Sequence, residues 1–218
     1  PALQTRLKAE LKYILQAPYW APALQLLSSL GALQCLHPTL KLDQQLWWRI
    51  RLIGRWLGRF DPDNNLLHWQ MRLEVLIAHL PAEARGKVAN NLQLPADSTT
   101  RLEQLAQDEA EVVEKLPQCQ LNSEIVKFLG QYQLPTLVLI GLDSPRTIRH
   151  QIWQYLTTLT YVQAPLNGND LRKLGYKPGP QYREILDRLL AETLDGVIQN
   201  EADAKAFLGE HYPIESKH

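Results

Sequence analysis

The sequence predicts an all-α fold, an elongated multi-helix array of roughly eight to ten helices joined by short connections. Three observations carry that prediction. Apolar residues recur at three- and four-residue steps along nearly the whole chain. The segments marked in this way are separated by short stretches rich in Pro, Gly and Asn. No apolar run finds a second of its kind to pair with as a strand. A chain of 218 residues with 45% hydrophobic composition is enough for one elongated domain or two small ones.

Taken in order, Leu3, Leu7, Leu11, Ile14 and Leu15 form the first helical stripe. Leu46, Trp47, Ile50, Ile53 and Leu57 form the second, and Trp69, Leu73, Leu76, Ile77 and Leu80 the third. Residues 134–142 contain Thr136-Leu137-Val138-Leu139-Ile140, apolar enough for a buried strand. Pro135 near the start and Gly141 at the end predict a short buried helix there instead. Ser144-Pro145 reads as N-cap and first residue of the next helix, whose stripe is Ile148, Ile152, Tyr155, Leu156 and Leu159. Further on, Asn169 is expected to cap a short helix over 170–174, with Gly175 in the left-handed position after it and Pro180 in the first turn of the helix that follows. Two helices should therefore meet at a tight, preformed corner.

Composition narrows the class of function. No apolar run approaches the ~20 residues needed to span a bilayer, so no membrane partner is expected. Cys35 and Cys119 are far apart and lie in no C-x-x-C or Cys/His spacing, which points away from a disulfide framework or a zinc site and towards a reducing, cytoplasmic setting. Net charge is zero, unlike an indiscriminately basic nucleic-acid binder. The charge is nevertheless segregated. Residues 146–183 carry six Lys/Arg against the single acid Asp170, residues 184–210 carry seven acids against Arg188 and Lys205, and residues 97–114 carry six acids against Arg101. A localised positive face steers a polyanion even on a neutral molecule.

Three constellations have a chemical reading beside a structural one. Asp61-Pro62-Asp63-Asn64-Asn65 has the look of a metal loop, but Leu66 and Arg72 stand where a calcium loop needs Gly and Glu, so a helix-connecting turn is expected. The six histidines, His37, His68, His79, His150, His211 and His218, form no metal-binding pair, and no nucleophile elbow is present. Arg51, Arg55 and Arg59 recur at four-residue steps with Trp48 just before them. Such a line is either a phosphate-binding edge or a solvated helix face. The six tryptophans mostly sit in or beside apolar stripes, which favours packing over base stacking. At the corner, Arg172, Lys173, Lys177 and Arg183 surround a helix start whose N–H groups lack intrahelical acceptors, a seat for a phosphate. The same Gly and Pro residues also serve as turn geometry alone.

The run Asn167-Gly168-Asn169-Asp170-Leu171, then Leu174-Gly175-Tyr176-Lys177-Pro178-Gly179-Pro180, then Tyr182 and Ile185-Leu186, is followed by Leu194-Asp195-Gly196-Val197-Ile198 and an acidic helix. This pattern resembles the C-terminal signature of the class II tRNA nucleotidyltransferases, the CCA-adding, A-adding and related poly(A) polymerase family. At the other end, Thr5-Arg6-Leu7, Glu10-Leu11, Ile14-Leu15, Ala23-Leu24, Leu26-Leu27 and Gly31-Ala32-Leu33 leading to Pro38 resemble the late neck region of that family. The family's Gly-rich loop and D-x-D pair lie in an N-terminal head and have no convincing match here, since Asp61-Pro62-Asp63 lacks the Gly-rich approach.

The resemblance implies an organisation with the end of a neck at 1–40, a body at 41–143 and a tail at 144–218. It implies tRNA as partner, through acceptor stem and T-arm, and a covalently attached N-terminal head that uses Mg and ATP or CTP. The chain itself is then expected to hold no cofactor, metal or catalytic residue and to be inactive alone. It would position tRNA while the head adds CCA, A or CC to the 3′ end. Gly168, Asp170, Leu171, Gly175, Gly179 and Pro180 carry over by motif position. The expected RNA-binding set is Gly168, Asn169, Arg172, Lys173, Lys177, Gly179, Gln181 and Arg183, with Arg146 and Arg149 from the same basic run. Arg6 and Glu10, an i, i+4 pair, are expected to orient neck and head. Two other readings remain open: a helical protein-interaction module docking a partner at Pro178-Gly179-Pro180, and a module that binds DNA backbone.

Overall fold

The computed structural model describes the backbone of residues 2–213 and the side chains of residues 5–213. The side chain of Leu3 and the whole of His218 lie outside that range. Among the described residues there are twelve α-helices, three short 3-10 turns and no strand. The helix number exceeds the expected eight to ten; Ala82–Asn91 and Asn122–Leu129, ten and eight residues long, are among the helices for which no stripe was marked in the sequence. No single helix among the described residues is long and apolar enough to cross a membrane.

The chain divides into two compact units. The first comprises residues up to Lys115 together with Tyr132–Ile152, and the second comprises Leu116–Gln131 and everything from Trp153 onward. In the first unit, α1 (Ala2–Gln16), α2 (Trp20–Ser29), α3 (Gln44–Phe60), α4 (His68–Ala78), α5 (Ala82–Asn91) and α6 (Ala96–Lys115) follow one another. The second unit receives α7 (Asn122–Leu129), and the chain then returns to the first with α8 (Leu134–Asp143). α9 (Arg146–Thr157) begins in the first unit and ends in the second.

The predicted stripes are the core of the first unit. Leu46, Ile50, Ile53 and Leu57 of α3 are fully buried, as are Leu73, Leu76 and Ile77 of α4. Each such side chain contributes about 1.5–3 kcal/mol of burial. α4 is the hub, packed against α1, α3, α5, α6 and α8. That explains why residues 73–77 are buried without interruption, Glu74 included. Residues 134–142 form α8, a helix buried on every side from Thr136 to Leu142. An element apolar all round belongs in the interior of a helical array and needs no strand partner.

Gly141 differs in role from the expected helix stop. It lies within α8, and a Cβ there would come within 2.7 Å of the Trp56 ring, so the residue permits close packing of α8 on α3. Ser144 also departs from expectation. Its hydroxyl donates to the Ile140 carbonyl at 2.8 Å and closes α8, and α9 begins at Arg146.

Glu74 is satisfied by a buried network. Arg101 of α6 donates from Nε to one carboxylate oxygen at 2.9 Å and from Nη2 to the other at 3.1 Å. Ser98 donates to the latter oxygen at 2.6 Å, Gln70 donates to it at 3.2 Å, and Gln133 accepts from Arg101 at 3.2 Å. Arg49 of α3 pairs with Asp143 and meets His79 at 3.1 Å. Asp43 caps α3 by accepting the Leu46 N–H at 2.7 Å.

The D-x-D-x-N string closes α3. The Asp61 carboxylate accepts the N–H of Asn65 at 3.0 Å and of Leu66 at 2.8 Å, and His68 stands 2.9 Å from its carbonyl. Burial would raise the Asp61 pKa, but the N–H donors of Leu66 and Asn65 outweigh it and hold the carboxyl below its ordinary value. On the outer side of α3, Arg51, Arg55 and Arg59 are exposed, and among the described residues no ion pair engages them. Like charges at this spacing destabilise a helix by about 0.2–0.5 kcal/mol per pair. Gly58, in the same stretch, costs about 1 kcal/mol against Ala and has open space where a Cβ would stand.

Candidate nucleic-acid interface

The second unit builds the predicted corner around a small core of its own. α10 (Gly168–Lys173), α11 (Pro180–Leu194) and α12 (Glu201–His211) enclose Leu166, Leu171, Ile185, Leu189, Ile198, Ala204 and Leu208. Tyr176 donates to the Tyr212 carbonyl at 2.8 Å, and Tyr182 donates to the Gly168 carbonyl. Each tyrosine ring packs on the core while its hydroxyl ties one segment of the corner to another, as amphipathic aromatics do.

The cap of α10 is Asn167, two residues before the expected Asn169. Its side chain accepts the Asn169 N–H at 2.8 Å and the Asp170 N–H at 3.4 Å, while Asp170 accepts the Asn167 N–H at 3.2 Å. This reciprocal box needs an acid three positions after the cap, and only Asn167 has Asp170 at that distance. The Asn167 N–H is also the main cause of a lowered Asp170 pKa, with Lys173 adding to it. Gly175 has φ +98° and follows the expected pattern. Its N–H donates to Arg172 and the Tyr176 N–H to Leu171, both at 3.1 Å, closing α10 with a Schellman turn.

Pro180 opens α11, with Gly179 before it in an extended conformation, φ 175°. Pro180 has no N–H and the Tyr182 N–H donates to the Gly179 carbonyl at 3.0 Å, which leaves the Gln181 N–H as the open donor of the first turn among the described residues. Nothing lies within 4 Å of where a Gly179 Cβ would stand. The fold therefore has neither a steric nor a conformational need for glycine at this position.

Asn169, Arg172, Lys173, Lys177, Gln181 and Arg183 are all exposed here, and Gly168 is half-buried. Lys173 lies 3.4 Å from Asp170 and Arg183 4.0 Å from Asp187, both solvent-rich pairs of little energetic value. Among the described residues no ion pair engages Arg172 or Lys177. Tyr176, Lys177, Gln181, Tyr182, Ile185 and Tyr212 line a cavity of about 400 Å³ beside the corner.

The remaining predicted residues belong to the first unit. Arg146 is exposed. Arg149 donates to the Gly141 carbonyl at 3.2 Å and the Ser144 carbonyl at 2.9 Å, and its guanidinium lies 4.6 Å from the centre of the Trp48 ring. Burial and then the Arg146 charge lower its pKa. Arg6 and Glu10 are exposed on α1, and among the described residues no ion pair joins them. One anchor was not singled out from sequence: Asp195, which accepts the Ser123 N–H at 2.8 Å and hydroxyl at 2.6 Å and so ties the end of α11 to α7. Its partner is 72 positions away, beyond the reach of any local pattern.

No family model matches the chain. It is 26% identical over 201 residues to an A-adding tRNA nucleotidyltransferase of Geobacter sulfurreducens, covering 88% of this chain and 23% of that protein. A second A-adding tRNA nucleotidyltransferase, from Halalkalibacterium halodurans, is 35% identical over 83 residues, which is 37% of this chain and 19% of that protein. The fold matches the Thermotoga maritima CCA-adding enzyme in complex with tRNA, with a TM-score of 0.66 at 16% identity, over 94% of this chain and 51% of that one. The chain thus spans about a quarter or less of the sequence relatives and about half of the solved enzyme. Over 88% of its length the chain is similar in sequence to part of an A-adding tRNA nucleotidyltransferase, and over 94% its fold is similar to part of a CCA-adding enzyme.

Proposed function

We propose that this chain is the tRNA-positioning part of a nucleotidyltransferase that extends the tRNA 3′ end, and that the corner between α10 and α11 grips the T-arm. The observation that carries this reading is the start of α11. There an open Gln181 N–H, the uncovered backbone of Gly179 and the exposed cations Arg172, Lys177 and Arg183 share one rigid turn. A helix N-terminus with flanking cations favours a phosphate oxygen. Folded RNA is recognised largely through its backbone and 2′-OH groups, so a seat without base-reading side chains suffices.

The solved relative in complex with tRNA supports tRNA as the partner. The body would run beside the acceptor stem, and a head outside this chain would bind Mg and ATP or CTP and carry out the addition of CCA, A or CC. Among the described residues no three His, Cys, Asp or Glu side chains converge in a way that would hold a metal ion. The role proposed for this chain is to hold the tRNA in place. Its contribution is orientation, which lowers the entropic part of a barrier without any reacting group.

The test is binding of the chain to tRNA, a T-arm minihelix and a DNA duplex of equal length across a salt series. Tight binding that needs the T-arm and weakens steeply with salt is expected. Lys177→Glu with Arg183→Glu should reduce it at least tenfold, and unchanged affinity in that variant overturns the corner as the grip. Loss of a protein partner with tRNA binding untouched would instead mark an interaction module. Incubation of the chain with tRNA, Mg and nucleotide is expected to yield no incorporation.

A further inference from the structure

We infer that the outer face of α3 is a second RNA-backbone surface, in the first unit and separate from the corner. This rests on the reading that the chain binds RNA and adds a place where it does so. Arg51, Arg55 and Arg59 stand at four-residue steps on α3, so their side chains leave the same side of the helix about 6 Å apart along its axis. All three are exposed, and among the described residues none has an ion-pair partner. A row of guanidinium groups at that repeat fits successive phosphates of one strand, and each group is able to hold a phosphate with two parallel N–H donors.

Two further observations point outward from the same face. Gly58 sits between Arg55 and Arg59 inside the helix, where glycine is a poor helix former, and nothing within 4 Å would meet a Cβ there. The fold does not ask for this glycine; a backbone approaching the row from outside does. One turn before Arg51, Trp48 is 39% exposed, with the Arg149 guanidinium 4.6 Å from its ring centre. An open groove of about 470 Å³, lined by Asp43, Gln44, Gln45 and Trp48, adjoins it. The Asp43 carboxylate accepts the Leu46 N–H and meets His79 but keeps its negative charge, so the phosphates are assigned to the arginine row and not to that groove. An aromatic face beside a cationic row is how proteins hold a nucleic-acid strand without reading its sequence.

The test compares the wild-type chain with Arg51→Gln/Arg55→Gln/Arg59→Gln and with Lys177→Glu/Arg183→Glu, titrated with tRNA and with sodium polyglutamate across a salt series. Each phosphate contact contributes roughly 0.9 to the log–log salt slope for a duplex, so the α3 variant is expected to lower the tRNA slope by about 2 to 3 at an unchanged or slightly raised melting temperature. A reduced slope in the α3 variant alone supports this surface and overturns the corner. A reduced slope in the corner variant alone overturns this surface and leaves the corner standing. Absence of tRNA binding by the wild type overturns both. Wild-type binding of polyglutamate as tight as that of tRNA, lost equally in the α3 variant, marks a generic anion face and overturns the proposal. Gly58→Ala is independent of any folding defect in the triple variant. It is expected to weaken tRNA binding severalfold while keeping or raising the melting temperature, and undiminished affinity overturns the proposal.

Discussion

Gly175 and Gly179 stand four residues apart in one turn and meet opposite demands. Gly175 closes α10 at φ +98°, where a side chain is strained, whereas Gly179 is extended and faces open space. Gly175→Ala is therefore expected to lower stability by about 1–2 kcal/mol, read as a fall in the melting temperature of the chain. Gly179→Ala should leave that temperature in place, and an equal fall in both variants would show that the distinction is wrong. The sequence placed Gly175 in the left-handed position behind a short capped helix, and marked Gly179, between Pro178 and Pro180, as part of the turn. It did not show that Gly179 faces open space, because the room around a missing Cβ is set by the path of the chain on both sides. The cap of α10 shows a similar limit. Asn167 and Asn169 have the same chemistry, and the capping-box spacing to Asp170 decides between them.

At the scale of elements, α4 and α6 are held by a charge pair that solvent does not reach, with Glu74 fully buried and Arg101 7% exposed. Removing one partner leaves the other charge buried and unpaired, so Arg101→Met is expected to cost about 3–5 kcal/mol. The double variant Glu74→Leu/Arg101→Met should be markedly less destabilised than the single one. Urea unfolding of the wild type, Glu74→Leu, Arg101→Met and the double variant checks this, and a double variant as unstable as the sum of the two single ones would refute it. From sequence, Arg101 was the lone counter-charge in the acidic run 97–114. In the structure it points inward to Glu74, while Asp97, Glu103 and Glu114 of α6 are exposed. For α8 the sequence favoured a short buried helix over a strand, and the structure has that helix, buried on all sides and with Gly141 fitted against Trp56.

For the molecule as a whole, carboxylates shifted in opposite directions set the pH profile. The Leu46 N–H lowers the pKa of Asp43, and N–H donors outweigh burial to lower that of Asp61. Their stabilisation is complete above the unfolded value near 3.9 and is lost as pH falls through the lower folded values. Burial raises the pKa of Glu109, with the Asp143 charge adding to it, and burial also raises that of Asp108. Ionising those two groups costs stability at neutral pH, a cost relieved as pH falls through their raised values. The melting temperature is expected to hold or rise slightly on acidification from pH 7 and then to fall below about pH 4. Glu109→Gln should remove much of the early rise, and a steady decline from pH 7 in the wild type would contradict the assignment. By itself the sequence determined the helical class, the corner with its Gly and Pro residues, and the likeness to the nucleotidyltransferases. Those depend on periodicity, capping and turn chemistry, which act over a few neighbouring residues. Tertiary structure alone decided which charges are spent inside the fold and which remain outside. Arg101 meets Glu74 from 27 positions away and Arg49 meets Asp143 from 94, whereas Arg51, Arg55, Arg59, Arg172 and Lys177 stay exposed. Pairing over such separations follows from how helices pack, and packing is a property of the whole chain.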